Sequence, residues 1–324
     1  VVLVVGWSGM MPWQYERLGK QVISLVFCAS NVQFWSEAGY FDFASDEKPL
    51  LHTWTLSVEE QFYILIPIGL FLLFKLKKRG LALPLIIVAC LASFSVSVYA
   101  SSKHPGANFY LLPTRAWELG IGSLLAFARP ISNAHLRSIL SGAGLILIIG
   151  CYFLLPENAP FPGIYALPPV VGAGFVILSG IGQSALPVCN RFLTIKPMVA
   201  VGLISYSLYL WHWPIFAYQK HLGYSSDSLF IQLALLVASF VPAWLSWKFV
   251  ETPFRKRNII RTKFGILVFG FAWTLCALTF GVLTIKWHGM PYRFSADILE
   301  RRLILEKGHM RYTRDREIGV LSGD

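Results

Sequence analysis

The chain has 324 residues, 55% of them hydrophobic and only 14% charged, with 28 Lys and Arg against 17 Asp and Glu and a net charge of +11. A water-soluble domain carries about a quarter of its residues as charges. This composition, with a mean hydropathy of +0.58, therefore excludes an ordinary soluble fold and points to an integral membrane protein. The positive charge clusters in short loops between apolar runs, so it does not describe a nucleic-acid surface.

The opening stretch VVLVVGWSGMMPW has no initiator Met and reads as the tail of a helix already under way, as in a fragment lacking its true start. A spanning helix needs about 20 mostly apolar residues. On that measure spans are predicted at 1–11 (a stub), 56–74, 81–100, 111–128, 138–155, 164–182, 199–218, 229–250 and 264–286. The breaks KLKKRG, SSKHPGAN, ARPISNAHLR, PENAPFPG, CNRFLTIKP and ETPFRKRNIIRTK are polar, and several hold Pro or Gly, which end helices. The expected fold is all-α, a polytopic transmembrane bundle of about nine spans. Residues 1–286 form its membrane domain, and 287–324 a polar linker or the start of a further domain. Cys28, Cys90, Cys151, Cys189 and Cys276 lie mostly in apolar stretches without paired spacing, so neither a disulfide framework nor a zinc site is expected.

Orientation follows from the Lys/Arg bias of alternate loops. One set holds Lys75, Lys77, Lys78, Arg79, Arg129, Arg137, Arg191, Lys196, Arg255, Lys256, Arg257, Arg261 and Lys263, thirteen in all; the other holds five, Arg17, Lys20, Lys48, Lys103 and Lys220. The first set is expected on the cytoplasmic side. That places 13–55, the stretch HTWTLSVEEQ and the polar tail 287–324 outside.

Four stretches carry chemistry. In HTWTLSVEEQFY, Glu59 and Glu60 stand at the mouth of an apolar run. The plainer reading is a helix start, with Ser57 as N-cap and Glu60 three residues on as a capping box. The functional reading is a polar pathway, because ionisable groups at membrane depth are costly, and His52, Thr53, Trp54 and Thr55 add proton-handling and stacking groups. In FYLLPTRAWELGIGSLLAF, Arg115 and Glu118 are three apart and share a helix face. They are either a neutralised pair or part of a network lining an internal cavity, and Gly120, Gly122 and Ser123 suggest close packing. In ISYSLYLWHWPIFAY, Trp211 and Trp213 flank His212, as an outer aromatic belt or as a sugar-stacking or proton-shuttling platform. In WKFVETPFRKR, Glu251 either pairs with Arg255 at a helix end or faces the cavity. Arg255, Lys256 and Arg257 are then ready for the phosphates of an anionic donor. A Walker loop, GxGxxG, HExxH and CxxC are all absent, which argues against a nucleotide-hydrolysing pump and a soluble metalloenzyme.

PLLHTWTLSVEEQFYILIP, FYLLPTRAWELGIGSLLAF, ISYSLYLWHWPIF and FVETPFRKR, in this order and spacing, resemble the membrane acyltransferase 3 family, from about residue 28 to 290. These are bacterial multi-span O-acyltransferases of the inner (plasma) membrane that modify surface polysaccharides, O-antigen, lipopolysaccharide or peptidoglycan. The resemblance implies transfer of an acyl group, usually acetyl from cytoplasmic acetyl-CoA, to a glycan hydroxyl outside, with no metal. The span at 264–286 and the following HGMPYRF are similar to the subtype in which an SGNH-type esterase-like domain follows. The family also carries an Arg and a His on its first helix, the His being its leading catalytic candidate, and an Arg pair before its third helix. This sequence begins inside what matches the third helix, so those positions and the SGNH domain are expected to be missing and the chain to be inactive alone.

On this reading Glu251, Glu59, Glu60 and His52 support catalysis, and Trp54, Arg115, Glu118, Trp211, His212 and Trp213 bind the acceptor. Arg255, Lys256 and Arg257 hold the acyl-CoA donor, and the remaining partners are the lipid bilayer and a cell-envelope glycan, with no nucleic acid. The alternative is a glycan or lipid transporter, a flippase without acyl chemistry. Donor dependence separates the two.

Overall fold

The computed structural model describes residues 2–38, 47–156, 158–182, 185–221, 228–257, 259–295 and 297–299. Among these residues the secondary structure is helical, without strands. Seven helices are long and apolar enough to cross a membrane: Thr53–Lys75, Arg79–Lys103, Ala134–Leu154, Gly163–Gly180, Lys196–His221, Leu229–Arg255 and Lys263–Lys286. The protein is thus a multi-pass helical membrane protein. Many of its large apolar side chains, such as Ile64, Phe71, Phe264 and Phe271, are exposed on the protein surface. Such faces are stable against hydrocarbon and costly against water.

Two of the nine predicted spans differ. The stub at 1–11 is an eight-residue helix, α1 (Val2–Gly9), followed by α2 (Pro12–Val26) and α3 (Ser30–Glu37). The prediction at 111–128 is only 14 residues, α7 (Leu112–Leu125), about 21 Å long. It is cut from α6 (Pro105–Tyr110) at Leu111, whose backbone is extended. Pro113 has no N–H to offer the carbonyl of Phe109, so the turn cannot continue. The remaining long helices are α4 (Thr53–Lys75), α5 (Ala82–Lys103), α8 (Ala134–Leu154), α9 (Leu167–Gly180, which a 3₁₀ turn from Gly163 extends to 18 residues), α11 (Lys196–His221), α12 (Leu229–Ser246) and α14 (Lys263–Lys286). Short helices α10 (Val188–Leu193) and α13 (Thr252–Arg255) complete the set.

The capping box is not formed. Helix α4 begins at Thr53, four residues before Ser57, and its N-cap His52 makes no side-chain capping bond. Ser57 lies inside the helix and binds α3: its Oγ accepts from the Ser30 amide at 3.1 Å and lies 2.9 Å from the Ser30 hydroxyl. The helix starts early because Trp54 and Val58 have apolar surface to bury there, against Phe34, Tyr110 and their neighbours.

The chain divides into two compact units, residues 24–269 and residues up to Ile23 with those from Gly270 onward. In the larger unit, small residues bring backbones together. A Cβ on Gly144 would lie 2.6 Å from the carbonyl oxygen of Gly172, and one on Gly172 would lie 2.7 Å from that of Gly144, so α8 and α9 touch main chain to main chain. Gly120 likewise admits Cys90, whose Sγ would be 2.4 Å from its Cβ, whereas Gly122 faces open space. The expected close packing therefore rests on Gly120.

In the smaller unit the HGMPYRF motif is a clasp. Gly289 has φ +69°, and a Cβ there would stand 1.7 Å from the Pro12 carbonyl oxygen, so only glycine fits. Arg293 donates to the carbonyls of Trp7, Met10 (3.2 Å) and Gly289 (3.0 Å) and stacks 4.2 Å above the Tyr15 ring. A guanidinium at the negative end of α1 satisfies carbonyls the helix itself leaves open. Of the expected linker 287–324, residue 296 and the residues from 300 on lie outside the described residues.

Candidate functional site

The candidate residues gather where α4 meets α11. His52, Thr55 and Glu59 fall on one face of α4, at spacings of three and four. Tyr206, Tyr209 and Trp213 repeat that spacing on α11. The helices run antiparallel: Thr55 Oγ1 is hydrogen-bonded to the Tyr209 hydroxyl, and the His52 ring sits 5.9 Å from that of His212.

His52 is buried, and neither ring nitrogen finds a hydrogen-bond partner among the described residues. Its ring lies 5.2 Å from Tyr209, whose hydroxyl donates to the His52 carbonyl. Burial, and secondarily the neighbouring His212, push the His52 imidazole down to about 3. A buried cation without an anion is costly, so the ring is neutral at physiological pH and keeps an open lone pair. His212 Nδ1 rests 3.2 Å from the Leu208 carbonyl. Trp213 Nε1 donates to the Lys48 carbonyl at 2.8 Å, and His221 Nε2 reaches the Glu47 carbonyl at 2.6 Å. Side chains of α11 thus fasten the segment leading into α4 by three of its carbonyls. Trp211 is half-buried and makes no hydrogen bond among the described residues.

Glu59 is half-buried and Glu60 exposed. Tyr206 lies within electrostatic reach of Glu60, Glu251 and Glu59, and Tyr209 within that of Glu59. Ser207, buried on α11, donates to Glu251 Oε2 at 3.0 Å, and Arg255 holds the other oxygen at 3.3 Å. Glu251 ends five residues of π-helix, Trp247–Glu251, between α12 and α13. Pro253 contributes, because it lacks the N–H that would close the α-helical bond to Phe249; π turns recur at functional sites. Ser207 and His212 are five residues apart, about 8 Å along α11. These groups form a polar column along α11 and α4 between Glu251 and the His52–His212 pair, within electrostatic reach of one another but with no hydrogen bond from Ser207 or Tyr206 to Tyr209 or His212 among the described residues. Lys256 and Arg257 are exposed at the end of this helix, which Arg257 stops with φ +56°.

Arg115, Glu118 and Trp54 form a second group. The Arg115–Glu118 pair closes at 3.2 Å. The Arg115 guanidinium is enclosed by the rings of Trp54 (5.0 Å), Phe109 (5.5 Å) and Phe161 (5.6 Å). Trp54 is itself buried with Phe34, Val58 and Tyr110. Its stacking partner is thus Arg115, and it is not an open platform.

Sequence reasoning missed Tyr209, Tyr206 and Ser207. Tyr209 stands three residues before His212, a spacing that would have nominated it. The Ser207–Glu251 contact has no local signal. Sequence separation hides the His52–Tyr209 contact as well, across 157 positions.

The profile of the family described as acyltransferase domain matches residues 2–248. The peptidoglycan O-acetyltransferase OatA of Listeria monocytogenes is 30% identical over 276 residues, covering 80% of this chain and 44% of that protein. The O-acetyltransferase OatA of Staphylococcus aureus is 28% identical over 258 residues, 75% of this chain and 42% of its own length. A putative peptidoglycan O-acetyltransferase of Bacillus subtilis, YrhL, is 27% identical over 260 residues, 73% and 39% respectively. The chain thus spans less than half the length of these curated relatives. No solved structure matches it. The family match, over most of the chain and across the α4–α11 column, shows that the chain belongs to the acyltransferase domain family, the membrane acyltransferase 3 group that its four motifs resemble.

Proposed function

We propose that the chain is the membrane portion of an O-acyltransferase that moves an acyl group, acetyl first among candidates, from acyl-CoA to a hydroxyl of a bacterial cell-envelope polysaccharide. Peptidoglycan, the acceptor in the names of the Listeria and Bacillus relatives, ranks ahead of lipopolysaccharide and O-antigen. The enzyme works in the inner membrane, with its donor on the cytoplasmic side. The observation that carries this reading is the polar column of His52, Tyr209, His212, Tyr206, Ser207 and Glu251, lying almost wholly within the matched family region.

In the reaction the acceptor oxygen attacks the thioester carbonyl. A C–O bond forms, the C–S bond breaks, and the hydroxyl proton passes to a base and finally to the departing thiolate. General bases need a free lone pair near the reacting proton. Glu251, held by Ser207 and Arg255, is the proton acceptor offered here, while neutral His52 keeps a lone pair that can accept a hydrogen bond from a hydroxyl but resists protonation. Arg255, Lys256 and Arg257 are donors for the phosphates of the acyl-CoA. Glu59, Glu60, His212 and Trp211 border the acceptor side, while Trp213 and Arg115 with Glu118 hold the surrounding segments in place. An SGNH-type domain is the proposed relay to the glycan.

The test is base-labile acetate released from purified peptidoglycan of a strain deleted for the gene. Wild-type complementation restores the acetate; Glu251→Gln restores about a hundredth of it or less, in the range lost with one acid–base group. Acetate unchanged by deletion, with lipid-linked glycan precursors accumulating instead, would move the protein to the flippase class.

A further inference from the structure

The N-terminal end of α8 holds a charge that the proposed transfer reaction does not use. Arg137 is buried, with 7% of its surface exposed. Of its five N–H donors, one makes a hydrogen bond among the described residues: Nη1 donates to the Ala185 carbonyl at 2.8 Å. Its Nε is buried and has no partner among the described residues. No carboxylate pairs with it there, and between Glu118 and Asp227 the only acidic residue in the sequence is Glu157.

A loop arginine is expected on the cytoplasmic side of any membrane protein. That rule concerns charges facing water or headgroups, and leaves a buried one unexplained. Buried guanidinium groups are retained when an anion meets them. Arg137 also occupies the first turns of a 21-residue helix, at the positive end of its dipole, where a cation has the less favourable sign.

A second cation is built in beside it. Arg191 Nε donates at 2.9 Å to the carbonyl of Leu186, the residue after Ala185. Bonds to consecutive carbonyls keep the two guanidinium groups within about 11 Å of each other. Helix α10, which carries Arg191, is fixed by the preceding residue. Asn190 Oδ1 accepts from Ser141, one turn along α8 from Arg137, at 2.5 Å, and Asn190 Nδ2 donates to the Val176 carbonyl at 3.1 Å. The spacing of the two arginines is therefore set by a satisfied buried network and not by a loop.

We propose that Arg137 and Arg191 form a binding site for a phosphate-type anion, distinct from the basic run at 255–257. Guanidinium forks match phosphate oxygens. At a membrane surface that phosphate has two sources, the phosphates of coenzyme A or the headgroup of an anionic phospholipid. The coenzyme A arm rests on the transferase reading; the lipid arm does not.

The experiment uses the purified chain in nanodiscs. Coenzyme A is titrated by calorimetry in phosphatidylcholine discs. Separately, the Tm is compared between phosphatidylcholine discs and discs containing phosphatidylglycerol. For one of the two probes, Arg137→Gln weakens the effect about tenfold or more, the loss expected for a charge-assisted contact. Arg191→Gln weakens the same probe about threefold, and Arg137→Lys, which keeps the charge, falls between wild type and Arg137→Gln. Dependence of coenzyme A binding on both residues assigns the donor as the source. Dependence of the phosphatidylglycerol effect, with coenzyme A binding unchanged, assigns the lipid and removes this site from the transfer reaction. Arg191 is exposed, so its variant folds and reports even where Arg137→Gln does not. Wild-type-like responses of Arg191→Gln to both probes, or no response of wild type to either, overturn the proposal.

Discussion

His52→Gln should protect the protein against acid. In the folded chain the His52 ring is buried beside His212 and stays neutral down to about pH 3. In the unfolded chain the same ring protonates near pH 6.5. Between these values the unfolded state binds a proton that the folded state refuses, so stability falls as pH falls through 6.5 and goes on falling toward 3. At about 1.4 kcal/mol per pH unit, the loss by pH 5 is about 2 kcal/mol. Glutamine cannot take up that proton. The other six histidines are common to both proteins, and all but His212, which borders His52, cancel. The assay is thermal unfolding of wild type and His52→Gln in detergent from pH 7.5 to 5. The difference in stability between them should shift by about 2 kcal/mol in favour of the variant as pH drops. Parallel profiles would refute the reasoning and mean that His52 is hydrated or paired with an anion.

Gly144→Ala should destabilise the α8–α9 contact by about 1–3 kcal/mol, since the new methyl would meet the Gly172 carbonyl. Gly122→Ala, facing open space, should be neutral or slightly stabilising through helix propensity. The two are compared by thermal unfolding in the same detergent, and equal effects would contradict the packing described. Gly289→Ala should open the clasp formed by α1, α2 and the 288–294 segment, because no rotamer removes a Cβ placed 1.7 Å from a main-chain oxygen. Limited proteolysis should then cut near residues 10–12 and 288–294 while the α4–α11 region stays protected. An unchanged digestion pattern would show that the clasp does not form.

The long spans were legible because apolar length and breaker residues are local signals. The Arg115–Glu118 and Glu251–Arg255 pairs were legible for the same reason, since helix geometry alone sets spacings of three and four. The start of α4 was not. Ser57 and Glu60 spell a capping box, but burial of Trp54 against Tyr110 and Arg115 favours extending the helix back to Thr53, and tertiary packing outweighs a cap of about 1 kcal/mol. Span 111–128 was overestimated because a hydropathy window averages across Pro113, whose effect is on one hydrogen bond. Glu59, Glu60, His52 and His212 were each nominated from local context. The meeting of His52 and His212 around Tyr209 depends on the antiparallel pairing of helices about 150 positions apart, which no local pattern encodes. The π-helical stretch before Glu251 leaves only Pro253 as a trace in the sequence.

On the proposed function, an acyl group passes from a donor on the cytoplasmic face of the membrane to an acceptor on the other. The direct measurement is made in inside-out membrane vesicles of cells expressing the gene, with acetyl-labelled acetyl-CoA added outside. Base-labile label should appear in lumenal glycan with wild type, fall sharply with Glu251→Gln, and fall with Glu59→Gln. Label equal in wild type, Glu251→Gln and vesicles lacking the protein would contradict the account.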